Sequence, residues 1–293
     1  MIWPPDADQP LPPDTSGRRG RKPAPISATA GLSHRAWLVP VRNFVFASGL
    51  TLDDLVERSG YSKTRISELL RGNGYYPAWQ ITSSVVHALG LPLEPMLRLW
   101  QSGAREAGKD SAWIKRSIQQ VALQPEAAPL PYRAFADTVR ATYTAYARAF
   151  LLTDHRADWV VGESLDILWL TWKQAATSDN LPRYAWQLLR TRVMARAHHH
   201  DGHPDLRAAV FSTAEVHDHM PGHLVALTEL TDLFHAIGRL PADQLDITVL
   251  RYLCATPPEA ISRIVGLSEA ITHAIDHHAR ATLEHLLPDV PQE

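Results

Sequence analysis

Six polar residues of one short segment carry the side-chain chemistry with which proteins bind nucleic acid. Lysine donates hydrogen bonds to guanine, glutamate accepts one from the exocyclic amine of cytosine, and arginine binds bases and phosphates alike. The spacing of these side chains predicts that they form the outward face of one helix, and that this helix enters the major groove of double-stranded DNA. The six residues are Lys63, Thr64, Arg65, Ser67, Glu68 and Arg71.

The residues around this face predict the two helices that hold it in position. Thr51 is a helix N-cap, Asp53 and Asp54 suit a first helical turn, and Gly60 suits a left-handed helix end. Ser62 then caps a second helix. Two short helices joined by a glycine turn are a helix-turn-helix, and the alternative interpretation is a generic helical hairpin with a solvated polar face. The inward apolar residues are Leu52, Leu55, Val56, Ile66, Leu69 and Leu70.

This part of the chain resembles the repressor/Cro-like (XRE) helix-turn-helix family over roughly Arg35 to Gln101. That family has five helices, and the sequence supplies the other three at Ala36–Ser48, Pro77–Leu89 and Pro95–Gly103. The DNA contacts that the resemblance implies are Lys63, Thr64 and Glu68 on bases, with Arg65, Arg71 and Asn73 nearer to phosphates.

The composition is typical of a globular protein that buries several small cores. The chain has 293 residues, 45% of them hydrophobic and 20% charged, which leaves room for two or three domains. A formal net charge of −2 argues against a protein that coats nucleic acid regardless of sequence, whereas a local basic patch suffices for site-specific binding. Cys254 is the single cysteine, which excludes an intramolecular disulfide and suits a reducing compartment. The sequence shows neither a secretory signal pattern nor an apolar run of the ~20 residues that cross a membrane, so we expect a cytoplasmic protein without a membrane partner.

Large apolar residues in the middle of the chain recur at spacings of three and four and predict a helical bundle. Its helices are expected at Tyr132–Phe150, Val160–Trp172 and Arg183–Ala197, with Trp169 and Trp172 in the core. The third helix has no acidic residue, so it predicts a basic stripe. Its arginines are Arg183, Arg190, Arg192 and Arg196.

A second helix-turn-helix is predicted near the C-terminus, where Leu267 and Ser268 form the turn between two helices. Only Arg280 on its outward face is always cationic, and the acidic residues there repel DNA, so we predict weak DNA binding at neutral pH. The four helices of this part are expected at Leu224–Gly238, Ala242–Cys254, Pro258–Val265 and Ser268–Leu287. The outward positions of the last helix are Glu269, Thr272, His273, Asp276, His277 and Arg280.

The middle and C-terminal segments resemble bacterial sigma factors of the extracytoplasmic-function type. The resembling strings are RADWVVGESLDILWLTW (156–172), PRYAWQLLRTRVMARA (182–197), AIGRLPADQLDITVLRYL (236–253) and PPEAISRIVGLSEAITHAIDHHARATLEHL (257–286). The polymerase-binding residues that the resemblance implies are Val160, Val161, Glu163 and Asp166. The DNA-binding residues that it implies are Arg183, Trp186, Arg190, Arg192 and Arg196 in the middle segment, and Thr272, His273, His277 and Arg280 in the C-terminal one.

Seven histidines lie at the end of the basic helix and in the connector after it. Imidazoles bind zinc and nickel, but neither an H-E-x-x-H pattern nor a spaced cysteine pair accompanies them, so we predict no metal site. The sequence also lacks a nucleophile elbow, a phosphate-binding glycine loop and a dinucleotide fingerprint, and Cys254 is interpreted as a small core residue. We therefore predict a protein that is not an enzyme and that needs no cofactor. The histidines are His198, His199, His200, His203, His217, His219 and His223.

The predicted fold class is all-α, with three domains. They are a five-helix XRE-type helix-turn-helix domain, a three- to four-helix bundle like sigma region 2, and a four-helix helix-turn-helix domain like sigma region 4, without a wing. The predicted boundaries are a disordered tail at 1–30 with a basic arm at residues 18–22, the XRE-like domain at 31–105, a connecting helix (Ala112–Leu123) and linker within 106–131, the bundle at 132–200, a histidine-rich connector at 201–223, and the last domain at 224–288.

The function that this organisation predicts is transcription regulation at a promoter, with double-stranded DNA, core RNA polymerase and an anti-sigma-like protein as the partners. One alternative is a degenerate sigma-like regulator that binds DNA through Lys63 to Asn73 alone and does not engage polymerase. A second is a protein-interaction module whose bundles bind a protein partner. A third is a metal-dependent enzyme that uses the histidines.

Overall fold

A computed structural model describes residues 25–122, 126–206 and 223–287, with the backbone alone for residues 223–229. Helices dominate these residues, and the only β structure among them is one pair of two-residue strands. The all-α class predicted from the sequence is therefore confirmed. Within the described ranges no helix is both long and apolar enough to cross a membrane. The predicted basic arm at residues 18–22 lies outside the described residues.

The chain divides into two compact units. Unit 1 comprises the described residues up to Tyr132 together with Leu165–Trp172. Unit 2 comprises Arg133–Ser164 and the described residues from Lys173 onward. The segments predicted as two sigma-like domains, 132–200 and 224–288, therefore lie in one unit, apart from residue 132 and residues 165–172.

Unit 1 contains six complete helices in its described residues, and five of them occupy the stretches predicted for the XRE-like domain. The sixth begins at Ser111 because the Asp110 carboxylate accepts a hydrogen bond of 2.6 Å from the backbone N–H of Trp113. The helices are α1 (Leu32–Ala47), α2 (Leu52–Ser59), α3 (Lys63–Arg71), α4 (Trp79–Ala88), α5 (Leu93–Glu106) and α6 (Ser111–Gln119).

Tryptophans form the core of unit 1. Trp37 of α1, Trp79 of α4 and Trp100 of α5 are fully buried, and Leu55 of α2 is buried with them. Trp100 stacks at 5.7 Å on Trp113 of α6, so the sixth helix also packs on this core.

The other eight α-helices of the described residues lie in unit 2, apart from short parts of the first three. Its core is aromatic, with Tyr143, Tyr146, Phe150 and Trp186 each almost completely buried. Residues 130–132 and 165–172 of the first three helices belong to unit 1. The helices are α7 (Leu130–Phe150), α8 (Asp154–Leu170), α9 (Trp172–Ala176), α10 (Leu181–Met194), α11 (His223–Gly238), α12 (Ala242–Thr248), α13 (Pro258–Val265) and α14 (Glu269–Leu286).

Three local features differ from the sequence-based expectation. The predicted helix Ala242–Cys254 is α-helical only to Thr248 and continues as a π-helical turn, Val249–Leu253. The start of the predicted connector is a β-hairpin in which His199–His200 pairs with His203–Pro204. Residues 25–30, predicted within the disordered tail, are partly held in place, because the Ser27 backbone N–H donates a 2.9 Å hydrogen bond to the Arg71 carbonyl and Ala30 is buried.

Candidate nucleic-acid interface

The helix-turn-helix of unit 1 is built from local capping and a small apolar anchor. The Thr51 hydroxyl accepts a hydrogen bond from the Asp54 N–H at 3.2 Å, and the Asp54 carboxylate accepts one from the Thr51 N–H at 2.7 Å. The Thr51 hydroxyl also donates a hydrogen bond of 2.7 Å to the Asp54 carboxylate, and this bond, together with the one from the Thr51 N–H, lowers the pKa of Asp54. Gly60 ends α2 in the left-handed conformation with φ 74°, which turns the chain into α3. Leu55 and Ile66 are fully buried, so the polar side of α3 must face outward.

The predicted DNA-binding side chains lie on that outward side. Ser67 is half-buried and the others are exposed. Lys63 forms an ion pair of 2.8 Å with Asp53, but both side chains are more than half exposed, and such pairs are worth only about 0–1 kcal/mol. Across the described residues, no carboxylate lies within ion-pair distance of Arg65 or Arg71. The exposed residues are Lys63, Thr64, Arg65, Glu68, Arg71 and Asn73.

The C-terminal end of α3 is fixed to the rest of unit 1. The Arg42 guanidinium donates a 2.9 Å hydrogen bond to the carbonyl of Leu70. Gly72 follows α3 with φ 62°, and a Cβ atom there would lie 2.6 Å from Leu38 Cδ2, so glycine is required by both conformation and space. These constraints hold α3 and Asn73 in a defined position before any ligand binds.

A cluster of aromatic rings supports this region from within unit 1. The Tyr76 hydroxyl accepts a hydrogen bond from Trp37 Nε1 at 2.9 Å and donates one to the Trp100 carbonyl at 2.6 Å. His34 stacks on Trp37 at 5.1 Å, and its Nε2 has no hydrogen-bond partner in the described residues. Burial lowers the pKa of His34 to about 4, an effect that Glu106 opposes and Arg35 reinforces. His34 is therefore neutral at physiological pH.

The arginines of α10 do not form the exposed basic stripe that the sequence predicts. Arg183 pairs with Asp243 at 3.0 Å, and Arg190 pairs with Asp246 at 2.9 Å. Asp246 is 2% exposed and also accepts hydrogen bonds from Tyr146 at 2.7 Å and Trp186 at 3.0 Å. These contacts correct the expectation for Trp186 and Arg190, because both donate to the buried Asp246, whereas a DNA contact by Arg183 stays a prediction.

The other two arginines, Arg192 of α10 and Arg196 just after it, share one buried carboxylate. Glu163 of α8 is 4% exposed and accepts hydrogen bonds from Arg192 at 2.9 Å and Arg196 at 2.8 Å. The Arg196 guanidinium also lies 4.8 Å from the ring centre of Trp159. Arg192 and Arg196 are both buried, so the expectation that they face DNA is wrong for this conformation.

The residues predicted to bind polymerase are likewise buried. Val160 and Val161 are fully buried, and Glu163 is enclosed by its two arginines. Asp166, in unit 1, accepts hydrogen bonds from the Arg98 guanidinium at 2.7 and 2.9 Å. None of the four presents a surface to a partner in this structure.

The second helix-turn-helix has the expected backbone but a different outward face. Gly266 ends α13 with φ 67°, and the Ser268 hydroxyl accepts a hydrogen bond from the Ile271 N–H at 3.3 Å. Thr272 and Asp276, predicted to be outward, are 5% and 4% exposed, so that prediction is wrong. Asp276 is buried because Arg251 of the π-helical turn donates to it at 2.6 Å.

The remaining predicted contacts of this second motif are exposed but carry little free charge. His273 and His277 lie on the solvent side of α14. Arg280 is exposed, but it pairs with Asp276 at 3.1 Å and donates to the Tyr252 hydroxyl at 2.9 Å. The weak cationic character predicted for this helix agrees with these contacts.

Of the seven histidines singled out in the sequence, the four whose side chains are described lie in or next to the exposed hairpin. His198, His199, His200 and His203 are exposed, and no group of three potential metal ligands occurs in the described residues. His217 and His219 lie outside the described residues, and the His223 side chain is also not described.

Sequence reasoning missed the hairpin and the packing of α6. The hairpin had a readable signal, because Asp201-Gly202 is a dipeptide typical of a two-residue turn with two positive φ angles, here 51° and 80°.

Cys254 ends the π-helical turn, and burial raises the pKa of its thiol to about 12, which argues against a nucleophile.

Comparison of the chain with protein-family models, with curated proteins and with solved structures found no match. The function of the protein is therefore inferred from the geometry of the helix-turn-helix in unit 1.

Proposed function

We propose that the protein is a site-specific DNA-binding regulator of transcription that reads DNA with α3 and Asn73. The observation that supports this most strongly is the state of the charges on α3. Arg65 and Arg71 are exposed, without a carboxylate at ion-pair distance in the described residues, on a helix whose ends are fixed by Gly60, Arg42 and Gly72. A rigid helix with free cations and polar groups on one side suits binding in a major groove.

The proposal assigns DNA reading to unit 1 alone. The arginines of α10 do not support a DNA contact from the middle segment, since moving them to phosphates would leave Glu163 and Asp246 buried without a partner charge. This corresponds to a degenerate sigma-like regulator that binds DNA through its N-terminal helix-turn-helix. Among the described residues, no contact favours a polymerase surface at Val160, Val161, Glu163 and Asp166.

The test is selection of duplexes from a random-sequence pool by the full-length protein. We expect enrichment of one sequence family, with Lys63→Ala and Thr64→Ala each costing roughly 1–3 kcal/mol on that sequence and relaxing the preference at one base pair. Arg140→Ala serves as the control, because Arg140 is an exposed arginine on α7, in unit 2. Arg140→Ala should bind like the wild type, and the proposal fails if no sequence is enriched or if Lys63→Ala and Thr64→Ala both keep the wild-type affinity and preference.

A further inference from the structure

A groove lies beside α3, and α6 forms its second side. The groove has a volume of about 460 Å³ and lies between the turn before α3, the start of α4 and the outer face of α6. None of its lining residues is acidic. The larger side chains that line it include Tyr61, Arg65, Gln80, Trp113, Arg116 and Gln120.

Hydrogen bonds lock α6 onto the first turn of α4. The buried Ser117 hydroxyl accepts the backbone N–H of Trp79 at 2.7 Å and lies 3.3 Å from Gln80 Oε1, to which it donates. The Gln80 amide in turn donates to the Gln120 side-chain carbonyl. Because Ile114 is also buried, α6 is held by both an apolar and a polar contact. Arg116 is therefore carried on a fixed helix rather than on a mobile linker.

The groove is cationic and its cations are available. Arg65 and Arg116 are exposed, and neither has a carboxylate at ion-pair distance anywhere in the described ranges. Lys109, just before α6, lies 5.2 Å from the Trp113 ring centre and adds a third positive charge near this side. Two exposed guanidinium groups on opposite elements of a groove suit a phosphate, which arginine binds with two parallel hydrogen bonds.

The groove is continuous with the proposed DNA-reading side of α3. Arg65 also lines a second groove of about 370 Å³, which Glu68 and Asn73 border. Arg65 therefore separates the base-reading side of α3 from the groove that α6 completes. Both grooves are open to solvent, whereas sites for free small ligands bury most of the ligand surface.

We propose that the groove between α3 and α6 is a site for a DNA backbone phosphate, with Arg116 as its outer cation. The sixth helix thereby extends the DNA interface beyond the helix-turn-helix. This inference rests on the proposed function, since it places the phosphate beside the bases that α3 reads. Arg116 contributes affinity without contributing sequence preference, because phosphate contacts are the same at every base pair.

The test compares Arg116→Ala with Lys115→Ala in the full-length protein. Both changes remove one exposed positive charge from α6, but only Arg116 lines the groove. On the selected duplex and on a mixed-sequence duplex, we expect Arg116→Ala to weaken binding roughly tenfold at about 0.1 M salt and to lower the salt slope by about 0.9. Lys115→Ala should change neither quantity, and the selected sequence should be the same for both variants. Phosphate-ethylation interference should lose one position with Arg116→Ala.

The outcomes separate this inference from the function on which it rests. If the wild type binds a selected duplex but the two variants are equivalent, the phosphate site is wrong and the proposed function survives. If the wild type binds no duplex, both are wrong. The last arm is calorimetric titration with adenosine monophosphate. If this nucleotide binds saturably and its binding needs Arg116, while the DNA affinity does not depend on Arg116, the groove is a site for a free phosphorylated ligand and the inference is overturned.

Discussion

Helices α3 and α10 both carry arginines, and the two helices use them in opposite ways. On α3 of unit 1, Arg65 and Arg71 are exposed and have no carboxylate within ion-pair distance in the described residues. In unit 2, every arginine that the sequence singled out on α10 or just after it is paired with a carboxylate of the same unit. A basic helix in a sequence is thus a DNA-binding candidate only when the fold does not pair its cations with buried carboxylates.

Burial decides how firmly each set of charges is retained. An exposed cation exchanges water for a phosphate at little cost. A guanidinium that pairs with a buried carboxylate cannot move to a phosphate without leaving that carboxylate unpaired in a low-dielectric interior, which costs several kcal/mol. Glu163 and Asp246 therefore commit the α10 arginines to the stability of unit 2, whereas the α3 arginines remain available for a ligand.

Removing the central carboxylate of unit 2 should have the largest effect on the protein. Asp246→Ala leaves Arg190, Tyr146 and Trp186 with unpaired buried donors. We expect the free energy of unfolding of the unit that contains it to fall by roughly 3–5 kcal/mol. Urea unfolding of the full-length protein, followed by tryptophan fluorescence, measures this. The matched control is Asp243→Ala, whose half-exposed pair with Arg183 should be worth no more than about 1 kcal/mol. Equal effects of the two variants would show that burial does not separate them.

Acidification should weaken unit 1 through His34. The ordinary pKa of histidine is 6.5, and burial lowers that of His34 to about 4. The unfolded chain binds a proton on His34 more readily than the folded chain does. The contribution of neutral His34 to the free energy of unfolding is therefore complete above pH 6.5 and is lost as the pH falls through about 4. The pKa difference corresponds to a loss of about 3 kcal/mol. The free energy of unfolding measured between these pH values should be flatter in His34→Phe, which keeps a ring between Trp37 and Tyr76 and cannot titrate. A pH profile that is identical in wild type and variant contradicts this account of His34.

The two helix-turn-helix caps give a smaller and directly matched comparison. Thr51→Ala and Ser268→Ala each remove one side-chain cap at the start of a helix in the motif. Both should lower stability by about 1 kcal/mol. Only Thr51→Ala should also weaken DNA binding, since it loosens the motif that presents α3. Fluorescence anisotropy with the selected duplex measures this, and a loss of affinity with Ser268→Ala instead would show that the C-terminal motif reads the DNA.

Local features of the fold could be predicted from the sequence because they depend on neighbouring residues. Thr51, Gly60 and the spacing of Leu55 and Ile66 determine α2, the turn and α3 through capping, a left-handed glycine and apolar periodicity. The predicted contacts on α3, apart from the half-buried Ser67, are exposed for the same reason. Here the candidate site follows from the pattern alone.

Long-range pairing could not be predicted in this way. Arg190 and Asp246 are 56 positions apart in the chain, and nothing in either local pattern announces the ion pair between them. Asp276 was expected at an outward position of the last helix, yet Arg251 and Tyr252 donate to it inside unit 2. Both errors have one physical cause, since a buried charge is tolerated only with a partner that periodicity does not identify.

The most direct test of the account is the salt dependence of DNA binding for one arginine from each helix. Arg71→Ala and Arg183→Ala both remove a single positive charge, the first from the exposed end of α3 and the second from an ion pair in unit 2. With the full-length protein and the selected duplex, Arg71→Ala should lower the slope of log K against log salt by about 0.9, and Arg183→Ala should leave it unchanged. A slope that falls with Arg183→Ala and not with Arg71→Ala would contradict the assignment of DNA binding to unit 1.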